Sequence, residues 1–320
     1  MTIIAGIDEA GFGPVMGPLV VSASVLEVPE ELSDKCLWQA LSPAVTRTNF
    51  RKSPRLPVAD SKLLRVRSDG LVHIERGVLG MLSLMGHHPQ SLRQLLAVVA
   101  PGVLPALEEY PWYARTDLPL PRAAGATDIL LRSNALGEVM RQKQVRLLDM
   151  RAEPVLTADY NRMVSATRNK ASALLDVVCR LVWPIATAYP ARCVRLTVDH
   201  LGGRIRYLPA LQRLFEGAAI KIKEESENCS SYVVDYRGRR LEIDFRIQGE
   251  SCCLATALAS MISKYLRELF MELENAWWCC RVEGLRPTAG YYGDGTRFLK
   301  QIQQAAQQHG LDRNLFVRLR

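Results

Sequence analysis

At 320 residues, 48% of them hydrophobic, the chain is long enough to bury a sizeable core in one large domain or two. The formal net charge of +8 and a pI near 9.1 suit a polyanionic partner, although many basic proteins bind no nucleic acid. No run reads as long and apolar enough to span a bilayer. The opening "MTIIAGIDEA" has neither a basic segment nor a cleavage site, so no membrane span and no secretory signal are expected.

In chain order, "TIIAGID" and "LVVSASVLEV" read as two strands joined by a tight turn rich in Gly and Pro. Residues 29 to 60 are mixed and end at "PVADSKLL". Residues 71 to 85 fit either a helix or a strand pair. Residues 100 to 125, with prolines at 101, 105, 111, 119 and 121, look irregular. "ATDILLRSNALGEVMRQKQVRLLD" mixes helix and strand signals. "DYNRMVSATRNKASALLDVVCRLVWPIA" has apolar residues at helical spacing, with Pro184 near its end. "CVRLTVDHLGGR" reads as a strand ending on Asp199 before a Gly-Gly turn. A short helix over "ALQRLFEG" and a strand over "AAIKIKEES" follow. "SYVVDYRGRRLEIDFRIQG" is a hairpin turning near Arg237-Gly238. "CCLATALASMISKYLRELFMELENAWW" is a long helix. "DGTRFLKQIQQAAQQHG" is another, capped by Asp294 and stopped by Gly310. This order predicts one α/β unit on a mixed sheet.

The eight cysteines show no CxxC or zinc-type spacing, and the two adjacent pairs are poor disulfide partners. Reduced thiols and a cytoplasmic setting are expected. His73, His87, His88, His200 and His309 have no evident nucleophile partners.

The acids are more informative. Asp8 and Glu9 end the first strand, and adjacent strand residues point to opposite faces. They serve one site only if the strand stops there, and "AGFGP" stops it. A solvated strand end is the ordinary reading of such a pair. Asp199 also ends a strand, where α/β sheets gather their sites, and otherwise reads as a turn residue. Glu268 falls on the helix face expected to look toward the sheet, with Lys264 one turn earlier as its ordinary partner. Glu272 and Glu274 read as more exposed alternatives. Converging carboxylates suit hard cations such as magnesium, and two such ions can stabilise the attacking and leaving oxygens of a phosphodiester displacement. The glycines do not fit a nucleotide cradle, because "GFGPVMG" is not GxGxxG and Asp8 and Glu9 would oppose a pyrophosphate.

"GIDEAGFGPVMGPLVV" strongly resembles the opening of the type 2 ribonucleases H (ribonuclease HII and HIII), which reads G-x-D-E-A-G-R-G-P-x-x-G-P-x-V. "ADSKLL", "LTVDHLGG", "IQGESCCLATALASMISKYLRE" and "GYYGDGTRFL" resemble further segments of that family, in the same order. The resemblance implies a ribonuclease H-like fold, a mixed five-stranded sheet flanked by helices. It implies a single domain over 1–320 with insertions at about 29–57, 85–190 and 226–248.

It further implies a two-metal endonuclease, using Mg2+ or Mn2+, that cuts RNA in RNA–DNA hybrids or at ribonucleotides in duplex DNA. On that resemblance Asp8, Glu9, Asp199 and Glu268 match the metal-binding acids, the last being Glu where Asp is usual. Gly11, Phe12 and Gly13 match the turn that meets the ribose 2′-OH, with Phe12 in place of the usual Arg. Ser61 and Lys62 match a phosphate-contacting segment. Tyr291 or Tyr292 matches a tyrosine that packs on deoxyribose. Glu250 and Gln248 stand where Asp and Lys are usual. Arg168 and Lys170 are weaker candidates for holding phosphates. Two other readings stay open: a related nuclease with another nucleic-acid substrate, and a non-catalytic nucleic-acid-binding module.

Overall fold

The computed structural model describes residues 1–64, 70–189 and 193–319. The helices are α1 (Leu37–Ala40), α2 (Ser61–Leu64), α3 (Val72–Leu84), α4 (Leu92–Val99), α5 (Ala126–Gln142), α6 (Thr157–Thr167), α7 (Lys170–Ala188), α8 (Leu208–Leu214), α9 (Gly249–Cys252), α10 (Leu254–Cys279) and α11 (Tyr292–Gln308). The strands are β1 (Thr2–Ala10), β2 (Leu19–Val28), β3 (Val45–Thr46), β4 (Leu56–Pro57), β5 (Arg146–Val155), β6 (Val194–Asp199), β7 (Ala219–Glu225), β8 (Cys229–Tyr236) and β9 (Arg239–Arg246).

The main sheet has seven strands in the order β5-β2-β1-β6-β9-β8-β7. Strands β5, β2 and β1 are antiparallel neighbours, while β1, β6 and β9 run parallel. Five strands were expected. The additional two arise because "AAIKIKEES" pairs antiparallel with β8, and β8 pairs with β9 through the hairpin at Arg237-Gly238. Both hairpin residues have positive φ, the backbone a two-residue turn between twisted strands requires. The stretches 85–190 and 226–248 supply β5, β8 and β9 of this sheet.

Alternation along β1 divides the core. Ile3, Ala5 and Ile7 face the layer of α6, α7 and α8, and Ile4 faces α10 with α3, α4 and α5 behind it. The α10 side of the sheet is built from small residues. Ser24 Oγ donates to Ala255 O at 2.8 Å, and Thr256 Oγ1 to Thr197 O at 3.1 Å. A Cβ on Gly6 would lie 2.0 Å from the Thr256 nitrogen, so α10 rests directly on the backbone of β1. That contact holds the helix close to the strand end that carries Asp8.

Three local expectations change. The helical pattern over 159–186 is two helices, because Arg168 adopts a left-handed conformation and Asn169 caps α7 by accepting from Ala171 and Ser172 N–H. Asp294 lies inside α11 rather than capping it, and its carboxylate accepts from Thr288 Oγ1 and Ala289 N. Helix α7 does meet the length and composition of a membrane-crossing segment, with a mean hydropathy of 1.5. In the fold its apolar stripe, including Leu174, Val178 and Leu181, packs on the sheet. All eight cysteines are free thiols.

Candidate active site

Strands β1 and β6 are parallel with Ile7 opposite Val198, so the next residues, Asp8 and Asp199, end neighbouring strands side by side. Both belong to the α10 face. Glu9 joins them because β1 gives way to the Gly11 turn, and its own N–H donates to Asp8 Oδ1 at 2.7 Å. One carboxylate oxygen from each of Asp8, Glu9 and Asp199 lies within 4.8 Å of the others. Asp8 is only 6% exposed, and the other two are half-buried.

Charge and burial reinforce one another here. Desolvation, then the charges of Glu9 and Asp199, push the Asp8 carboxyl well above the usual carboxylate range. Burial and Asp199 raise Glu9 to about 7. Burial also raises Asp199, although the Gly249 N–H, donating to its Oδ1 at 3.0 Å, opposes the shift. Such a cluster is expensive unless a cation completes it.

The helix α10 supports Asp8 through hydroxyls. Ser263 Oγ lies 3.0 Å from the Asp8 carbonyl and 2.8 Å from Ser22 Oγ. Ser260 bonds the Asp8 side chain and sits 3.0 Å from Ser61 Oγ. Ser61 thus lines the support of the acids. Lys62 Nζ stands 3.6 Å from Glu250 Oε1 on a side chain that is 81% exposed. Burial lowers the Lys62 ammonium pKa, but Asp60, Glu250, Asp8 and Asp199 together leave it raised.

Glu268 lies outside the trio whose oxygens approach within 4.8 Å of one another. It lies two turns beyond Ser260 on α10, and Lys264 Nζ pairs with it at 2.6 Å, the one-turn partner its sequence offers. The fourth acid beside the trio is Glu250. Its carboxyl interacts directly with Asp199, and burial and Asp199 raise its pKa. The signal was present in "IQGE": an acid in a glycine turn between a strand and a helix, at the same sheet end as Asp199. Glu274, expected to be exposed, is buried at 1%.

Oxygen ligands in this number suit a hard divalent cation. Glu9 Oε2 and Glu250 Oε2 are buried without a hydrogen-bond partner among the described residues, so the donor set has oxygens to spare for one. The residues present therefore fit a divalent ion.

Beyond the acids, Gly11 has φ +91° and turns the chain away from β1. Phe12 is half-buried, packs toward the α7 core and lies beneath Lys170, whose Nζ is 5.2 Å from the ring centroid. Gly13 is exposed. Together with Tyr160, Tyr292 and Arg318, the residues Phe12, Gly13 and Lys170 line a cavity of about 310 Å³. Tyr291 and Tyr292, 48% and 60% exposed, stand at the start of α11. Arg168 forms the turn just before Lys170.

No family model and no curated protein matches the chain. Among solved structures it is similar to the RNase HII of a PCNA:RNase HII complex from Archaeoglobus fulgidus, at 15% identity and a TM-score of 0.42, over 99% of this chain and 94% of that one. It is similar to the RNase H3 of Aquifex aeolicus at 14% identity and a TM-score of 0.42, over 98% and 70% of the two chains. It is also similar to the ribonuclease H2 of Pyrococcus horikoshii at 14% identity and a TM-score of 0.39, over 98% and 92%.

Proposed function

We propose that this protein is a divalent-metal-dependent nuclease that hydrolyses phosphodiesters in RNA–DNA hybrids or at ribonucleotides in duplex DNA. The observation that carries the reading is the trio of buried Asp8 and half-buried Glu9 and Asp199 at the ends of parallel strands, with ligand atoms within 4.8 Å. A solvated strand end does not explain it, because Asp8 is desolvated and Glu9 Oε2 has no partner among the described residues.

Asp8, Glu9, Asp199 and Glu250 would hold Mg2+ or Mn2+. Bound there, such ions supply an activated water and neutralise charge on the leaving oxygen. The chain supplies the rest. Ser260 and Ser263 fix Asp8 from α10, and the Gly249 N–H orients Asp199. Lys62, and Lys170 over the Phe12 ring, provide positive charge for backbone phosphates, contacts that position a strand without reading its sequence. The Gly11–Gly13 turn presents backbone donors where a 2′-OH distinguishes RNA from DNA.

The test is cleavage of a labelled DNA duplex holding one ribonucleotide, beside a full RNA–DNA hybrid, with Mg2+ and with Mn2+. Cutting by the wild type and none by Asp8→Asn is the expected result. Binding of both duplexes without any cleavage would sink the nuclease reading and leave a binding module.

A further inference from the structure

The turn between β1 and β2 closes around two buried guanidinium groups. Arg267, 1% exposed, donates from Nη1 to Pro18 O at 2.5 Å and from Nη2 to Met16 O at 3.3 Å and Ala289 O at 3.0 Å. Gly11, Gly17 and Gly290 all have positive φ and crowd this side chain, so that a Cβ on them would fall 2.9, 3.2 and 3.2 Å from it. The second group is Arg318, 4% exposed, which comes from the far end of the sequence. Its Nη1 donates to the Gly11 carbonyl, its backbone N–H to Val15 O at 2.8 Å, and its guanidinium covers Tyr160 at 4.6 Å.

The segment carrying Arg318 is itself tied down. Asn161 Nδ2 donates to Val317 O at 2.8 Å and to Asn314 Oδ1 at 2.7 Å, and Asn161 Oδ1 accepts from Leu319 N at 2.7 Å. Arg318 Nε and Nη2 have no partner among the described residues. A buried cation left partly unpaired is a poor stabiliser, and well-packed apolar residues often replace such groups without loss. What the guanidinium does supply is direction. In a trans peptide the C=O and N–H point opposite ways. A Gly11 carbonyl held inward therefore turns the Phe12 N–H outward, and neither that N–H nor that of Gly13 has a hydrogen-bond partner among the described residues.

We infer that Arg318 is a positioning residue: it fixes the Gly11–Phe12–Gly13 turn so that its outward face is set for a nucleic-acid strand beside the acids. Its effect on substrate rests on the nuclease reading above, whereas its hold on the turn does not.

The experiment compares wild type with Arg318→Gln, Arg318→Lys and Asn161→Ala in two readouts. The first is steady-state cleavage of the single-ribonucleotide duplex with Mn2+, alongside Mn2+ affinity. The second is the 19F resonance of 4-fluorophenylalanine placed at position 12. Arg318→Gln should raise KM about ten-fold with kcat within about two-fold and Mn2+ affinity unchanged. Arg318→Lys should restore at least half of that loss on a logarithmic scale. Asn161→Ala should raise KM in the same direction but less, and both Arg318→Gln and Asn161→Ala should shift or broaden the fluorine signal. An unchanged KM and fluorine signal in folded Arg318→Gln overturns the inference. So does a fall in kcat and in Mn2+ affinity alongside the rise in KM, the mark of a general loss of structure. If Arg318→Gln does not fold, Arg318→Lys and Asn161→Ala decide by the same criteria. Should the wild type cleave nothing, the nuclease reading fails, while the fluorine signal still decides whether Arg318 holds the turn.

Discussion

Gly249 donates its backbone N–H to Asp199 Oδ1 at 3.0 Å, and by that bond the turn after β9 delivers Glu250 to the carboxylate trio. Glu268, on the same polypeptide run, is spent on Lys264 at 2.6 Å. The two glutamates are therefore expected to behave differently. Glu250→Gln should weaken Mn2+ binding about ten-fold or more and slow cleavage about 10²-fold. Glu268→Gln should leave both within about two-fold and lower stability by about 1 kcal/mol at most. Isothermal titration with Mn2+ and a urea melt on the two variants check this, and equal metal affinities would refute it.

Glu9 sets a pH dependence. Its pKa rises from 4.5 to about 7 in the folded protein, chiefly through burial and then Asp199. The folded chain thus keeps a proton that the unfolded chain has lost, and the metal-free protein loses stability from this group as pH rises between those values. A divalent ion needs the carboxylate ionised, so its binding must expel protons in that window. Mn2+ should bind more tightly at pH 8 than at pH 5.5, and its rise in Tm should follow the same trend. Titrations at pH 6 in buffers of different ionisation enthalpy count the released protons, and a count of zero contradicts the expectation.

Lys170 caps the Phe12 ring at 5.2 Å and lines the cavity of about 310 Å³ shared with Gly13 and Tyr292. If it meets a phosphate, Lys170→Ala should weaken duplex binding for all sequences alike. The slope of log affinity against log salt should fall in magnitude by about one. Fluorescence anisotropy across a salt series measures it, with Mn2+ affinity expected to stay unchanged. A slope identical to that of the wild type removes Lys170 from the interface.

Gly6 is where α10 meets β1, and a methyl group there would lie 2.0 Å from the Thr256 nitrogen and 2.3 Å from the Ala255 carbonyl carbon. Both are backbone atoms and cannot rotate aside. Gly6→Ala should cost about 3 kcal/mol of stability in a urea melt. It should also depress metal affinity, because pushing α10 outward carries Ser260 and Ser263 away from Asp8. A loss below about 1 kcal/mol would show that the helix can ride higher than the contact distances imply.

The parts of the fold carried by local pattern were legible in the sequence. Strand alternation, the Arg237-Gly238 turn and the apolar stripe of α10 each follow from a short window of residues, and each lies where that window puts it. Strands β8 and β7, which extend one edge of the sheet, were not legible as members of it because pairing between β7 and β8 is a tertiary fact, although each strand was visible. Proximity in the site followed the same division. Asp8, Glu9 and Asp199 are found together because strand ends mark positions along a sheet. How far along α10 a residue stands from the strand ends is harder to read, because a helix face looks the same one turn or four turns away, and only the rise of about 1.5 Å per residue separates Ser260 from Glu268. The bonds of Arg318 to Gly11 and Arg267 to Met16, spanning most of the chain, leave no trace in local sequence.

The parallel pairing of Ile7 with Val198 makes the site a matter of parity. Along β1 and β6 odd and even positions belong to different sides of the molecule. Asp8 and Asp199 share a side only because the two strands are counted in phase. Deleting a single residue from β6 would leave its composition and charge nearly untouched, yet would send Asp199 to the α7 layer among Leu174 and Val178. Any tolerated length change in these strands should therefore come in twos, or outside them in the loops. That sets these few positions apart from the long surface stretches, where single insertions pass without consequence for the acids.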